Sequence, residues 1–264
     1  MKNIQRTIIL LFSLFAVVSA DAQIRIGGRK IDTKKAVKAA GDMATAVTLS
    51  DADIARLSRE SVEWMDAHNP IDTGAYDARL RRLTEGITEA DGIPLNFKVY
   101  YVVDINAFAC GDGSIRVFSS LMDLMTDDEL MAIIGHEIGH IVHRDSKDAI
   151  KRAYMASAAR NAAGSVGGTV GKLSESQLGD LAQAFMGAQF SQKQEYAADD
   201  YGFDFCVDHG FSPHGMADGL SKLVELSKGA KASAVQQMFS SHPDSEKRAA
   251  RMKEKAVAYE NAMK

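Results

Sequence analysis

The sequence predicts a mainly α-helical protein of the α+β class, with a small β-sheet placed just ahead of one buried central helix. Three observations support this class. Beyond Ile31, long segments with few helix-breaking residues predict helices. Aromatic and β-branched residues concentrate only between Phe97 and Phe118. From Thr126 onward, a clear helix start precedes a segment that is apolar on most sides.

The first 22 residues have the features of an export signal. Lys2 and Arg6 precede the apolar run 8–18, which is too short to span a bilayer comfortably. The tripeptide 20–22 fits an A-x-A cleavage signal, so the mature chain is expected to begin at Gln23. An uncleaved membrane anchor is the alternative. We therefore expect an exported, periplasmic protein, with an extracellular or peripherally membrane-associated location as alternatives.

The mature chain, 23–264, is long enough for one domain, which we divide into N-terminal helices over 33–90 and a core over 95–264. Removal of the signal leaves 29 bases and 34 acids, a net charge of −5. Such a chain has no general affinity for nucleic acid or anionic membrane. No later segment reaches the length of about eighteen apolar residues that a transmembrane helix needs. The composition does not predict an oligomeric state.

Cys110 and Cys206 are the two cysteines of the chain. An exported protein meets an oxidising compartment, where an even number of thiols favours pairing. We therefore predict a Cys110–Cys206 disulfide, and two buried free thiols are the alternative.

The first predicted elements are three helices. The earliest covers 33–48, which is rich in Ala and Lys. Ser50 is a suitable N-cap for a second helix that ends near His68, before Asn69-Pro70. A third helix is expected over about 75–88.

The sheet and the central helix follow. Residues 97–103 are predicted as a strand, Asp112-Gly113 as a hairpin turn, and 114–118 as a returning strand. The segment 126–129 fits a capping box with acids at the positive end of the helix dipole. The helix that starts there should run to about His143 and be buried.

The remaining chain is also expected to be helical. A glycine-rich loop over 164–171 is either a flap or a linker. Helices are then predicted over about 175–187 and 191–209, with a turn at 210–213. Two more helices follow, separated by His242-Pro243-Asp244, where Asp244 can cap the last helix.

The central helix carries the sequence His136-Glu137-Ile138-Gly139-His140, an HExxH motif. Histidines at i and i+4 project from one helix face, so their rings can converge on one tetrahedral zinc ion. Glu137 is then placed to act as general base on a water molecule at that ion. The alternatives are a pair of core histidines or a structural metal site. A structural zinc usually has four ligands with thiolates, and the cysteines are not spaced for this.

A catalytic zinc needs a third protein ligand. His143 is unsuitable because it lies seven residues from His136, about 10 Å along the helix. A third histidine six residues after the motif is absent, since that position is Ser146. Glu195 is the better candidate, with Asp199 one turn later to accept the free N–H of a ligating histidine. Taken alone, such a pair of acids is more often a surface feature.

Four motifs follow one another along about 97–251. They are Asn106-Ala107-Phe108, His136-Glu137-Ile138-Gly139-His140, Glu195-Tyr196-Ala197-Ala198-Asp199, and His242-Pro243 with Arg248. Together they resemble the zinc metallopeptidases of the HtpX and CAAX-prenyl-protease type, peptidase family M48, and especially its soluble, exported bacterial members. The chain lacks the transmembrane helices of the integral-membrane members.

The resemblance implies a gluzincin-like fold and one Zn²⁺ per chain, with His136, His140 and Glu195 as ligands and Glu137 as general base. It places Asp199 behind the ligands and His242 near the substrate oxyanion. Arg248 is expected in substrate binding, or in support of His242 or Glu195. The edge formed by Asn106, Ala107 and Phe108 is expected to bind the substrate backbone as an added strand, and a simple strand-to-turn junction is the alternative.

These features together predict a zinc-dependent endopeptidase that hydrolyses internal peptide bonds of misfolded or envelope proteins. One alternative is a periplasmic chaperone or assembly factor that uses the same cleft with little proteolysis. Another is a zinc-stabilised structural domain, which would need four protein ligands and no open metal position.

Overall fold

The computed structural model describes residues 24–26, 29–31, 49–164, 173–229 and 232–264. The predicted signal, the predicted helix over 33–48 and most of the glycine-rich loop lie outside the described residues. The chain divides into two compact units, Met1–Thr48 with Met155–Lys172 and Leu49–Tyr154 with Leu173–Lys264. In the first unit, strands β1 (Ile24–Ile26) and β2 (Arg29–Ile31) pair in antiparallel fashion.

The second unit begins with helices α1 (Asp51–His68) and α2 (Ala75–Leu83). Helix α1 starts at the predicted N-cap, where the side chain of Ser50 accepts from the N–H of Asp53 and closes a capping box. Helix α2 ends earlier than predicted. The chain turns through Gly86, whose φ of 81° is a left-handed conformation that a helix cannot continue.

The β-strands follow directly. Strands β3 (Glu89–Ala90) and β4 (Ile93–Pro94) form an antiparallel pair. A three-stranded mixed sheet has the order β5-β7-β6. Its strands are β5 (Asn96–Tyr100), β6 (Ala107–Ala109) and β7 (Ser114–Phe118).

The predicted turn at Asp112-Gly113 joins β6 to β7, which are antiparallel, whereas β5 runs parallel to β7. Gly113 has a φ of 91°, and a Cβ there would lie 1.9 Å from the carbonyl oxygen of Pro94. Only glycine fits this turn. The first predicted strand is shorter than expected and ends at Tyr100, because the residues after it form the loop that leads to β6.

Helices α3 (Ser119–Leu124), α4 (Asp127–Val142) and α5 (Lys147–Gly164) come next. Helix α4 is the predicted central helix. Its capping box forms as expected, since the N–H of Thr126 donates to Glu129 Oε2 over 2.7 Å and the N–H of Glu129 donates to Thr126 Oγ1 over 3.3 Å. Most residues of α4 are buried, so its polar side chains are held inside the protein.

Five helices complete the described chain, and three of them follow the turn at 210–213, where two were predicted. Asp244 is the N-cap residue of the last helix, as predicted, and has a φ of 62°. Its side chain makes no cap hydrogen bond and instead accepts from Gln192 Nε2 over 3.0 Å. The five helices are α6 (Glu175–Met186), α7 (Gln192–Asp208), α8 (Gly215–Ser227), α9 (Ala232–Ser241) and α10 (Ser245–Ala262).

Helices α4 and α7 pack closely because small residues line their contact. A Cβ on Gly202 would lie 2.9 Å from the backbone N of His136, and a Cβ on Gly135 would lie 2.7 Å from the ring of Phe205. Ala198 is fully buried at the same seam, where its Cα would lie 3.1 Å from a Cβ on Gly139. The seam brings the polar side chains of the two helices within reach of each other.

Cys110 and Cys206 are buried free thiols, so the predicted disulfide is not formed. Burial raises the pKa of Cys206 to about 12, with a further contribution from Asp128. Burial also raises the pKa of Cys110, and Asp112 is the next contribution in the same direction. Cys110 follows β6, whereas Cys206 lies inside α7. Within the described ranges, no helix has the length and apolar character needed to cross a membrane.

Candidate metal centre

Four buried side chains from three parts of the chain converge beside α4. His136 and His140 come from α4, Glu195 from the first turn of α7, and His242 from the segment between α9 and α10. One ligand atom from each lies within 4.8 Å of those of the other three. We call these residues the four-residue cluster.

The spacing of the cluster fits a zinc ion. His136 Nε2 and His140 Nε2 are 3.0 Å apart, and Glu195 Oε1 lies 3.4 Å from His140 Nε2. Glu195 Oε2 lies 3.7 Å from His136 Nε2. Ligand atoms at zinc bond lengths of 2.0–2.1 Å in a tetrahedral site are about 3.3 Å apart. The residues predicted as zinc ligands therefore lie at the mutual distances that such an ion requires.

His242 lies closer to the ligands than the sequence suggested. Its Nδ1 is 3.1 Å from Glu195 Oε1 and 3.3 Å from His136 Nε2. Its Nε2 is 3.6 Å from Glu137 Oε1. His242 is thus both a possible fourth ligand and a neighbour of the acid that the sequence predicts as general base. The His-Pro motif singled out the residue, but sequence alone does not tell an oxyanion contact from a ligand.

Glu137 is buried next to the cluster, and its Oε1 has no hydrogen-bond partner among the described residues. Burial raises the pKa of Glu137 above its usual range, against the opposing effect of the histidines His242 and His140. An unpaired buried carboxylate oxygen costs about 1–3 kcal/mol. Its position beside the ligand atoms is the arrangement that a proton acceptor requires.

Each histidine of α4 has its own carboxylate partner. His136 Nδ1 lies 3.0 Å from Asp199 Oδ1, the partner that the sequence predicted. His140 Nδ1 lies 2.8 Å from Asp145 Oδ2, which the sequence did not suggest. In both cases the Nδ1 hydrogen bond directs Nε2 towards the cluster. His143 is exposed and lies outside it, in agreement with its rejection as a ligand.

Arg248 is buried behind the cluster. Its Nε donates to Asp199 Oδ2 over 2.9 Å and its Nη2 donates to Asp199 Oδ1 over 2.6 Å. Its Nη1 contacts Glu195 Oε2. This guanidinium therefore pairs with Glu195 and Asp199 of α7, and its part in substrate binding stays a prediction.

Burial and neighbouring charges shift the pKa values of the cluster. Burial and the charge of His140 lower the pKa of His136 to about 4. The pKa of His140 is raised to about 9, because hydrogen bonds to Asp145 and Glu195 outweigh its burial. Burial would raise the pKa of Glu195, but His242 and His140 lower it well below its usual range. Glu195 is therefore ionised at neutral pH and His140 carries a proton, which a metal ion on its Nε2 would displace.

Asn106 directly precedes β6, an outer strand of its sheet that begins with Ala107 and Phe108. The ring of Phe108 packs against Tyr100 and Phe118, so its side chain belongs to the core. Asn106 is buried, and its Oδ1 finds no hydrogen-bond partner in the part of the chain that the structure describes. Among the described residues, no strand pairs with β6 on the side away from β7.

A small pocket of about 20 Å³ adjoins Glu137 and His242. Its polar lining comes from the cluster and from the residues behind it, and the remainder is apolar. The apolar lining consists of Ile133, Met216, Leu220, Leu223, Met238 and Phe239.

Comparisons with known proteins agree with this geometry. Residues 75–256 match Peptidase family M48. The chain is 38% identical to Metalloprotease LoiP of Escherichia coli over 245 residues, which is 92% of this chain and 96% of that protein. It is 36% identical to Metalloprotease YcaL of the same organism over 231 residues, 86% of this chain and 89% of that protein. It is 29% identical to a Protease HtpX homolog of Pyrococcus abyssi over 217 residues, 67% of this chain and 73% of that protein.

Proposed function

Because the chain belongs to peptidase family M48 and is a metalloprotease, we propose that it is a zinc-dependent endopeptidase that hydrolyses internal peptide bonds. We further propose that residues 1–22 export it to the periplasm, where its substrates are misfolded or envelope proteins. The observation that carries the proposal is Glu137, a buried carboxylate with an unpaired oxygen beside a set of zinc-type ligands.

In this proposal His136, His140 and Glu195 hold the zinc ion. When bound, the ion would supply Lewis acidity to a water molecule and to the substrate carbonyl. Glu137 accepts a proton from that water as it attacks, and later delivers the proton to the leaving amine. His242 lies 3.6 Å from Glu137 and stabilises the charge that develops on the carbonyl oxygen.

The edge of β6 is proposed to bind the substrate backbone. An extended peptide that adds to this edge gains main-chain hydrogen bonds. The side chain of Phe108 is buried, so this strand would contribute its backbone.

The pocket beside Glu137 is proposed to receive an apolar side chain next to the bond that is cut. Its lining is mostly aliphatic, which favours an apolar group over a charged one. The substrate class would then be unfolded segments that expose apolar residues, as misfolded proteins do.

The two rival functions make different demands on the same residues. A structural zinc domain would use all four residues of the cluster and would have no need of an unpaired, buried Glu137. A chaperone that rarely cuts would need the edge of β6 and the pocket beside Glu137, but not the general base. Catalysis is the function that accounts for every one of these groups.

The test is zinc content and casein cleavage, measured together for wild type, Glu137→Gln and the exposed control Glu225→Gln. We expect wild type and the control to bind about one zinc and cut, and Glu137→Gln to bind zinc without cutting. If all three bind zinc and none cuts, the chaperone or structural function replaces the proposal. If wild type binds no zinc, the metal site itself is wrong.

A further inference from the structure

The loop between α4 and α5 carries a carboxylate that contacts a proposed zinc ligand. The backbone N–H of Asp145 donates to the carbonyl of His140 over 3.0 Å, so the residue folds back onto the end of α4. Arg144, just before it, has a φ of 59°, which permits this reversal. The side chain of Asp145 is only 7% exposed, and its Oδ2 accepts from His140 Nδ1 over 2.8 Å.

The second oxygen of Asp145 is held from α7. Gln194 Nε2 donates to Asp145 Oδ1 over 2.9 Å. The same amide caps its own helix, because Gln194 Oε1 accepts from the N–H of Ser191 over 2.9 Å and from Ser191 Oγ over 2.8 Å. One side chain therefore links the start of α7, which carries Glu195, to the partner of His140.

The face of the His140 ring is also fixed. The ring of Phe190 stacks on it, with centroids 3.9 Å apart and an angle of 16° between the planes. The N–H of Phe190 donates to the carbonyl of Ser241, the residue before His242. The edge and the face of the His140 imidazole are thus constrained by residues outside the proposed ligands.

We propose that Asp145, held in place by Gln194, is a positioning residue that sets the tautomer and ring orientation of His140 for metal binding. The inference rests on the proposed zinc site, and it assigns the second helix histidine its own supporting carboxylate, as Asp199 serves His136. When Nδ1–H of His140 donates a hydrogen bond to Asp145, the lone pair of His140 Nε2 points to the cluster. Without it, the Nδ1–H tautomer is no longer favoured, and the tautomer with Nε2–H has no lone pair facing the cluster.

The test compares three single substitutions in the full mature chain. Asp145→Asn keeps the size of the side chain but removes its charge, and places an amide donor opposite Gln194 or His140. Gln194→Glu keeps the oxygen that caps α7 but replaces the donor to Asp145 with a repelling carboxylate. Gln177→Glu is the matched control, since Gln177 makes the same capping box with Ser174, at the start of α6 rather than of α7.

Zinc affinity is measured by competition with a chelator, and the metal geometry by the visible spectrum of the cobalt-substituted protein. We expect Asp145→Asn to weaken zinc binding about 10–100-fold and to shift the cobalt spectrum. Gln194→Glu should weaken binding about 3–10-fold with a smaller shift, because it acts through Asp145. Gln177→Glu should stay within about twofold of wild type.

Wild-type zinc affinity in both Asp145→Asn and Gln194→Glu would overturn the inference while leaving the peptidase proposal intact. A wild-type protein that takes up no zinc would overturn both. If Asp145→Asn fails to fold, Gln194→Glu decides, because its helix cap is preserved. Equal losses in Gln194→Glu and Gln177→Glu would show that only helix capping is at stake and would also overturn the inference.

Discussion

Replacing Arg248 with methionine should destabilise the zinc-free protein far more than any surface substitution. Arg248 and both its partners, Asp199 and Glu195, are at most 2% exposed. The substitution leaves two buried carboxylates without their cation, and breaking such a buried pair costs about 3–5 kcal/mol. For a unit of this size that loss corresponds to a fall in Tm of about 6–20 °C. Saturating zinc should reduce the loss, because the ion would supply positive charge to Glu195.

The assay is urea unfolding of wild type and variants, with and without zinc. Arg251→Met is the matched control, because Arg251 lies on the same helix and pairs with Asp200 at the surface, where both side chains are about a third exposed. Its loss should stay below about 1 kcal/mol. Arg248→Lys should be intermediate, since it keeps the charge but not the two-pronged geometry. Equal losses for the two methionine variants would refute this account of the buried network.

Three further predictions concern other parts of the structure. Gly202→Ala should lower the free energy of unfolding by about 1–3 kcal/mol and lower the zinc content, because the new methyl group forces α7 away from α4. Thermal unfolding and metal analysis measure the two effects, and a folded variant with the zinc content of wild type would contradict this. Asp66→Asn should cost about 3 kcal/mol at pH 7 in urea unfolding, because it leaves Arg116 buried without its partner. Burial raises the pKa of Asp66, but hydrogen bonds from Arg116 and others lower it more. The stability that Asp66 contributes is therefore present above its unfolded pKa of about 3.8 and is lost as the pH falls through the folded pKa. A loss of stability in Asp66→Asn that is the same at pH 3 as at pH 7 would contradict this sign. Leu220→Trp should fill the pocket beside Glu137 and reduce cleavage before large apolar residues at least tenfold, while the zinc content stays unchanged. A cleavage profile on a peptide library that is identical to that of wild type would show that the pocket does not bind substrate.

The parts of the fold set by local chemistry were predictable. The capping boxes at Ser50 and Thr126 mark where α1 and α4 begin, since they depend on side chains three residues apart. The sheet was harder. The turn at Gly113 was visible, but the parallel pairing of β5 with β7 joins residues that are distant in sequence and leaves no local signature.

The same distinction applies to the site. His136, Glu137 and His140 follow one helical period, so they could be identified together. Glu195 was inferred from the need for a third ligand and from its own spacing to Asp199. Asp145 was missed, because it reaches His140 only through a left-handed turn at Arg144 that no sequence pattern announces.

The disulfide prediction failed for a physical reason. An even number of cysteines and an oxidising compartment favour a disulfide only when the segments that carry the two thiols meet. Here the thiols lie in different elements, because Cys110 follows β6 and Cys206 is inside α7. Each is buried as a small apolar side chain.

The four-residue cluster draws on positions separated by as many as 106 residues, from His136 to His242. A ribosome has therefore made almost the whole chain before the last member of the cluster exists. Helix α4 can form earlier, but it carries only two of the four groups and lacks the guanidinium of Arg248 that pairs with Glu195 and Asp199. On the proposed assignment of the cluster, hydrolytic competence arrives with the completed tertiary structure, and we expect a nascent or unfolded copy not to digest its neighbours.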